Sequence, residues 1–138
     1  MSPPIATERI YDALRTARPE NEVAVLCDRL WPRGVRKEDL DGVLWMKEWA
    51  PSAPLRQDFH AGRISPAIFR ERYRDELEAR KDDLLADLRR LGVTPAKGIP
   101  SHPIKTLRLL TASREIDSSH VPVLRDYLEE RLSPRPTP

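Results

Sequence analysis

Residues 23–34 read VAVLCDRLWPRG, and the reading of this stretch decides the fold. Val23, Ala24, Val25, Leu26 and Cys27 are apolar without alternation. A strand with one wet face alternates polar and apolar side chains, so an unbroken run signals burial on both faces, as in a parallel sheet covered by helices. The strand is expected over residues 22–30. It leads into Asp28 and Arg29, a stiff Trp31-Pro32, then Arg33, Gly34, Arg36 and Lys37. Ligands of open parallel sheets sit beyond the carboxyl ends of the strands, so this charged turn marks the expected site.

Outward from that strand, Arg9-Ile10-Tyr11 reads as a short strand and TLRLLTA, residues 106–112, as another. A helix is expected over residues 37–49, closing before Pro51 because the residue preceding a proline avoids the α region. Ser65-Pro66 is a cap and a first-turn proline opening a long amphipathic run. Phe69, Tyr73, Leu77, Leu84, Leu88 and Leu91 hold one face of it, EARKDD at 78–83 interrupts that face, and Gly92 ends it. The segment 94–105, with three prolines, reads as a loop, and a last helix covers residues 121–132. Strands alternating with helices predict an α/β single domain with a small, mainly parallel sheet flanked by helices. Residues 1–8 read as a disordered N-terminus, 9–132 as the domain, and the proline-rich 133–138 as a disordered tail.

The chain has 138 residues, which suits one core without disulfides or a structural metal. Its 24 basic and 22 acidic residues leave a net charge of +2, so any basic surface must be local. A single cysteine forms no internal disulfide and fits a reducing compartment. No leader-like start and no run of about eighteen apolar residues is present, so the expectation is a cytoplasmic protein without a membrane partner.

Candidate site residues cluster at the two strand ends. Arg33 offers a planar donor fork for carboxylate or phosphate, Gly34 takes backbone angles closed to other residues, and Lys37 opens the expected next helix. The strand at 106–112 ends in Ser113-Arg114-Glu115, with Ser119-His120 ahead of the last helix. Arg29, Arg33, Lys37, Arg56 and Arg114 are therefore the expected anion-binding residues. Asp28 and Glu115 would orient them, and His120 is the candidate acid or base at neutral pH. An Asp28–Arg29 ion pair is the plainer alternative for those two. Trp31, Trp45 and Trp49 invite a base-stacking role, but Trp45 and Trp49 stand four apart on the expected helix, and aromatics so spaced usually pack. His60 and His102 lack partners at metal-ligand spacing, so no metal and no other cofactor is expected.

Cys27 and Arg33 also match the C-x5-R spacing of cysteine phosphatases. That chemistry needs backbone N–H groups converging on the phosphate, whereas here proline removes a donor, Asp28 repels the anion and no serine or threonine follows Arg33. Burial is the ordinary fate of a lone strand cysteine, and Cys27 reads as core. With no evident nucleophile, the residues name no reaction.

The run VLCDRLWPRGVRKED, the W-x-KEWAPS-x-x-LR of residues 45–56, FRERYRDEL at 69–77 and LLTASREIDSSHVPVLRDYL at 109–128 together resemble the YeaO-like family, a domain of unknown function. The resemblance runs from Arg9 to Leu128 and implies a small bacterial or archaeal cytoplasmic α/β domain without an assigned reaction. Against the family pattern, Cys27 replaces a valine, Glu115 and Ser119 replace an aspartate and an asparagine, and the loop at 94–105 is longer. The first functional expectation is a domain that binds or acts on a small anionic molecule, phosphate-bearing ones among the candidates. Alternatives are a nucleic-acid-associated module, disfavoured by the low net charge, and a stress-related interaction protein without chemistry.

Overall fold

The computed structural model describes residues 5–15, 20–93 and 106–132. In them the strands β1 (Ile5–Arg9), β2 (Glu22–Leu26), β3 (Val43–Trp45) and β4 (Thr106–Thr111) are joined by α1 (Ile10–Ala13), α2 (Ala53–His60), α3 (Pro66–Ala79), α4 (Lys81–Arg90) and α5 (Val121–Leu132). The sheet has the order β1-β4-β2-β3, and all its pairs are parallel. This is the expected α/β layered domain. Cys27 extends the β2–β4 ladder by one bond, its N–H donating to the Leu110 carbonyl at 3.0 Å.

The uninterrupted apolar run of β2 is explained by its two covered faces. Val23, Val25 and Cys27 join Leu107 and Leu109 of β4 in a core closed by side chains of α2 to α5. Ala24 and Leu26 face the other way with Leu110, under Ile10 and Ala13 of α1 and the loop residues Val35 and Leu40. No helix among the described residues is long and apolar enough to cross a membrane.

Several elements differ from the sequence reading. The first strand is Ile5–Arg9, and Ile10 begins α1 instead of lying in the strand. An edge strand needs little apolar patterning because one neighbour supplies its ladder, here β4 in the register Ile5↔Leu107 to Arg9↔Thr111. The sheet therefore starts inside the segment expected to be a loose end. Residues 37–49 form no α-helix: a 3-10 turn at Lys37–Leu40, β3, and a second 3-10 turn at Lys47–Trp49 take its place. Gly42, at φ 82, turns the chain out of helical geometry, and β2 offers an open edge that Val43 takes opposite Ala24. β2 stops at Leu26, short of the expected residue 30. The interruption at 78–83 is a break between α3 and α4, with Arg80 at φ −109 and ψ 18 and its guanidinium donating to the Glu48 carbonyl at 2.7 Å. The loop at 94–105, with His102, and the tail at 133–138 lie outside the described residues.

Candidate functional site

The carboxyl edge of the sheet opens into a cleft of about 870 Å³. It is bounded by the ends of β1, β2 and β4 and by α2. Asp28, Arg29, Arg33, Arg56, Arg114, Glu115 and His120 all line it. Arg33 and Arg56, far apart in sequence, thus share one cavity.

Two tethers bring them together. Arg29 donates from Nε to the Pro51 carbonyl at 2.9 Å and from an Nη to the Ala50 carbonyl at 3.4 Å, strapping the turn after β2 to the segment before α2. Ser52 caps α2 by accepting the Leu55 N–H at 3.3 Å, and its own N–H and hydroxyl donate to Glu76 of α3 at 2.8 and 2.5 Å. With α2 fixed at its start, Arg56 and His60 project from its first and last turns toward the cleft. On the opposite wall the Tyr11 hydroxyl donates to the Arg33 carbonyl at 2.8 Å, and the Arg9 guanidinium lies 4.8 Å from the centre of the Tyr11 ring. Gly34 has φ +75, the left-handed conformation its turn requires.

Four arginines of the cleft lack an acidic partner among the described residues. Arg9, Arg33, Arg56 and Arg114 make no ion pair with any described residue, and the buried Nε of Arg9 has no hydrogen-bond partner there. Elsewhere some arginines, such as Arg36, Arg63, Arg80 and Arg108, meet a carboxylate, while Arg15, Arg70, Arg72 and Arg89 make no ion pair with a described residue but do not line this cleft. Glu115 shares the cleft, exposed, without pairing to these cations. Guanidiniums sharing a cavity without ion-pair partners repel one another, and an anion between them would relieve that repulsion.

Asp28 is not the partner of Arg29. One carboxylate oxygen accepts the Thr111 hydroxyl at 2.7 Å and the other the Ala112 N–H at 2.7 Å, tying the end of β2 to the end of β4. His120 Nε2 is 2.8 Å from the Cys27 carbonyl, which can only accept, so Nε2 carries the proton in the neutral ring. The same nitrogen is 3.6 Å from Asp28. Burial pushes the His120 pKa down, opposed by the Asp28 charge and the Cys27 carbonyl. Burial pushes the Cys27 thiol up, with the Asp28 charge adding to it, so no thiolate is ready to attack.

Cys27 Sγ, a carboxylate oxygen of Asp28 and a ring nitrogen of His120 lie within 4.8 Å of one another, a donor set able to hold a metal ion that the sequence reading overlooks. Each group is already engaged. Sγ is 3.4 Å from the Leu110 carbonyl, and the Asp28 and His120 contacts are those above. Metal binding would have to break this lattice, which as it stands works as a latch across the strand ends.

Lys37 belongs elsewhere. It lines a second depression, of about 980 Å³, with Leu40, Asp41, Val43, Trp45 and Trp31, the last of which also borders the cleft. At the start of its 3-10 turn the Asp39 carboxylate accepts the Arg36 N–H at 2.9 Å. The tryptophans divide as well. Trp49 is 1% exposed, as expected, whereas Trp31 and Trp45 are 37% and 39% exposed and meet edge to face with centroids 5.3 Å apart. They are not core, because β3 places Trp45 on the sheet's outer edge. Arg9, Tyr11, His60 and Ser113 are cleft residues the sequence reading missed. Arg9 would have been found had β1 been placed correctly, since it ends that strand as Leu26 ends β2.

Residues 4–137 match the family described as the inactive DUF488-N3 subclade. The uncharacterized protein YeaO of Escherichia coli (strain K12) is 36% identical over 126 residues, spanning 90% of this chain and 96% of that protein. The uncharacterized protein Rv3073c of Mycobacterium tuberculosis (strain ATCC 25618 / H37Rv) is 33% identical over 131 residues, spanning 92% and 95%. No solved structure matches the chain. Relatives matched nearly end to end, together with the family match, establish that the chain belongs to the YeaO-like family, in the inactive DUF488-N3 subclade.

Proposed function

We propose that this protein binds a small anionic molecule, one carrying a phosphate, in the cleft at the carboxyl edge of its sheet. The observation that carries this reading is the convergence of Arg9, Arg33, Arg56 and Arg114 without acidic partners among the described residues. Arg33 and Arg56 are the forks that grip the anion, and Arg9 and Arg114 add charge from the flanking strand ends. Arg29 serves as the strap that holds the two walls together. Asp28 and His120 hold the strand ends in register, and Glu115 sets the outer limit of the anion's position.

Binding is favoured over turnover. The thiol is buried, the imidazole N–H is given to a carbonyl, and the family's own description is of an inactive subclade. The test is thermal unfolding with inorganic phosphate and pyrophosphate, at two salt concentrations, on the native chain and on Arg33→Ala/Arg56→Ala. A ligand at one hundred times its Kd stabilises the native state by about 2.7 kcal/mol, so a clear rise in Tm is expected in the native chain and none in the double variant. If no phosphate compound shifts Tm while oligonucleotides bind with a steep salt dependence, the site is instead a nucleic-acid surface.

A further inference from the structure

We infer that the ligand carries a planar aromatic ring beside its phosphate, the chemistry of a nucleoside monophosphate, and that Trp31 is the surface on which the ring lies. This rests on the anion reading above and narrows it. A cleft of about 870 Å³ greatly exceeds what a phosphate group fills and falls in the range that takes a whole organic ligand. Beside its charged and polar side chains the lining carries the apolar and aromatic Leu30, Trp31, Phe59 and Phe69.

Trp31 is built as a platform. Its indole N–H donates to the Val35 carbonyl at 2.7 Å, so the ring has no polar hydrogen left to offer. It packs against Trp45, whose own N–H donates to the Asp28 carbonyl at 2.7 Å. The ring is therefore held from two sides, yet it remains 37% exposed at the rim of the cleft. Leu30 beside it is 58% exposed and extends the apolar surface. Left bare, such a surface keeps apolar area in water; covered by a flat ring, it contributes stacking without needing to order any side chain. Arg33 stands two residues further along the same turn, and Trp31, Arg33 and Arg56 line the same cleft.

The test uses the full chain at fixed ionic strength and measures Kd by calorimetry for adenosine 5′-monophosphate, ribose 5-phosphate and pyrophosphate. Stacking of one base on an aromatic side chain corresponds to roughly tenfold in affinity, so the nucleotide should bind about ten times tighter than ribose 5-phosphate. Trp31→Leu should erase that difference while leaving the affinity for ribose 5-phosphate unchanged, and Trp31→Phe should restore most of it. Both variants lose the bond to the Val35 carbonyl and some packing on Trp45, so a modestly lower Tm is expected, and a single cooperative melt with native far-UV circular dichroism confirms that they are folded. Equal affinities for the nucleotide and ribose 5-phosphate in the native chain, or a difference that survives Trp31→Leu, would overturn this inference while leaving the anion reading in place. Failure of every phosphate compound to bind would remove both. Affinity for oligonucleotides rising with their length, with a steep salt slope, would overturn it in favour of a strand-binding groove.

Discussion

Arg108 and Arg33 belong to the same sheet layer and face opposite circumstances. Arg108, in mid-strand on β4, is clamped between its neighbours: Nε donates to Glu22 at 2.8 Å, a second nitrogen reaches Glu22 at 3.2 Å, and a third lies 3.4 Å from Glu8. The Glu22 side chain is only 5% exposed, so this cation balances a charge that water cannot reach freely. Arg33, at the carboxyl edge beyond β2, makes no side-chain hydrogen bond to any described residue and shares its cleft with Arg9, Arg56 and Arg114. The first arrangement is complete within the fold. The second leaves its cations without a counter-ion among the described residues, which is the observation behind the proposed anion site.

The sharpest way to break this contrast is to remove each arginine in turn. Arg108→Met leaves Glu22 nearly buried and without its partner, which should lower stability by about 2–3 kcal/mol, a discount from the full cost of splitting a buried pair because Arg108 is partly exposed. Its Tm rise with phosphate should persist. Arg33→Met should change stability by less than about 0.5 kcal/mol, as befits an exposed side chain without partners, and should lose most of that rise. Urea unfolding of both variants with and without phosphate checks the pair, and a reversed order of effects would sink the distinction.

A smaller effect tests on which side of the contrast the Cys27, Asp28 and His120 cluster falls. If it is a latch, Cys27→Ser should cost about 1 kcal/mol, because a buried apolar thiol is exchanged for a hydroxyl that can keep only the Leu110 contact. The native thiol should then resist iodoacetamide near neutral pH until the protein is unfolded. Rapid modification of the folded chain would show the thiol open to solvent and the cluster to be no latch.

The gentlest probe is pH. Burial holds His120 below its ordinary value of about 6.5, so between the folded and unfolded values the unfolded chain binds more protons. Stability linked to His120 is thus present above about pH 6.5 and is lost as pH falls through the lower, folded value. His120→Gln, which keeps a donor for the Cys27 carbonyl without titrating, should flatten that part of the acid limb in urea midpoints taken from pH 8 to 5. An unchanged limb would mean that the ring is solvated and outside the latch.

Much of this fold is legible in the chain because burial on two faces leaves a local mark. The apolar run at 23–27, the TLRLLT strand, the Ser65-Pro66 helix start and the final helix all follow from patterns within a few residues. Arg33 was legible as a cation beyond a strand end and Cys27 as core, whereas Arg56 was expected in a loop after Pro51 that is in fact α2. β3 was not, since three residues carry no period, and their strand geometry comes from the open edge of β2. Trp45 followed it to the surface.

The sequence by itself determined the two-sided central strand, the parallel layered architecture and the charged turn beyond the sheet, because apolar periodicity and turn chemistry are local properties. Only the tertiary structure decided which charges meet. Parallel pairing of β1 beside β4 brings Arg9 to the edge already occupied by the turns after β2 and β4, and the Arg29 strap draws in Arg56. The 3-10 turn carries Lys37 to another depression. Coulomb interactions depend on distance in space, and no spacing along this chain encodes the distances at which its arginines meet.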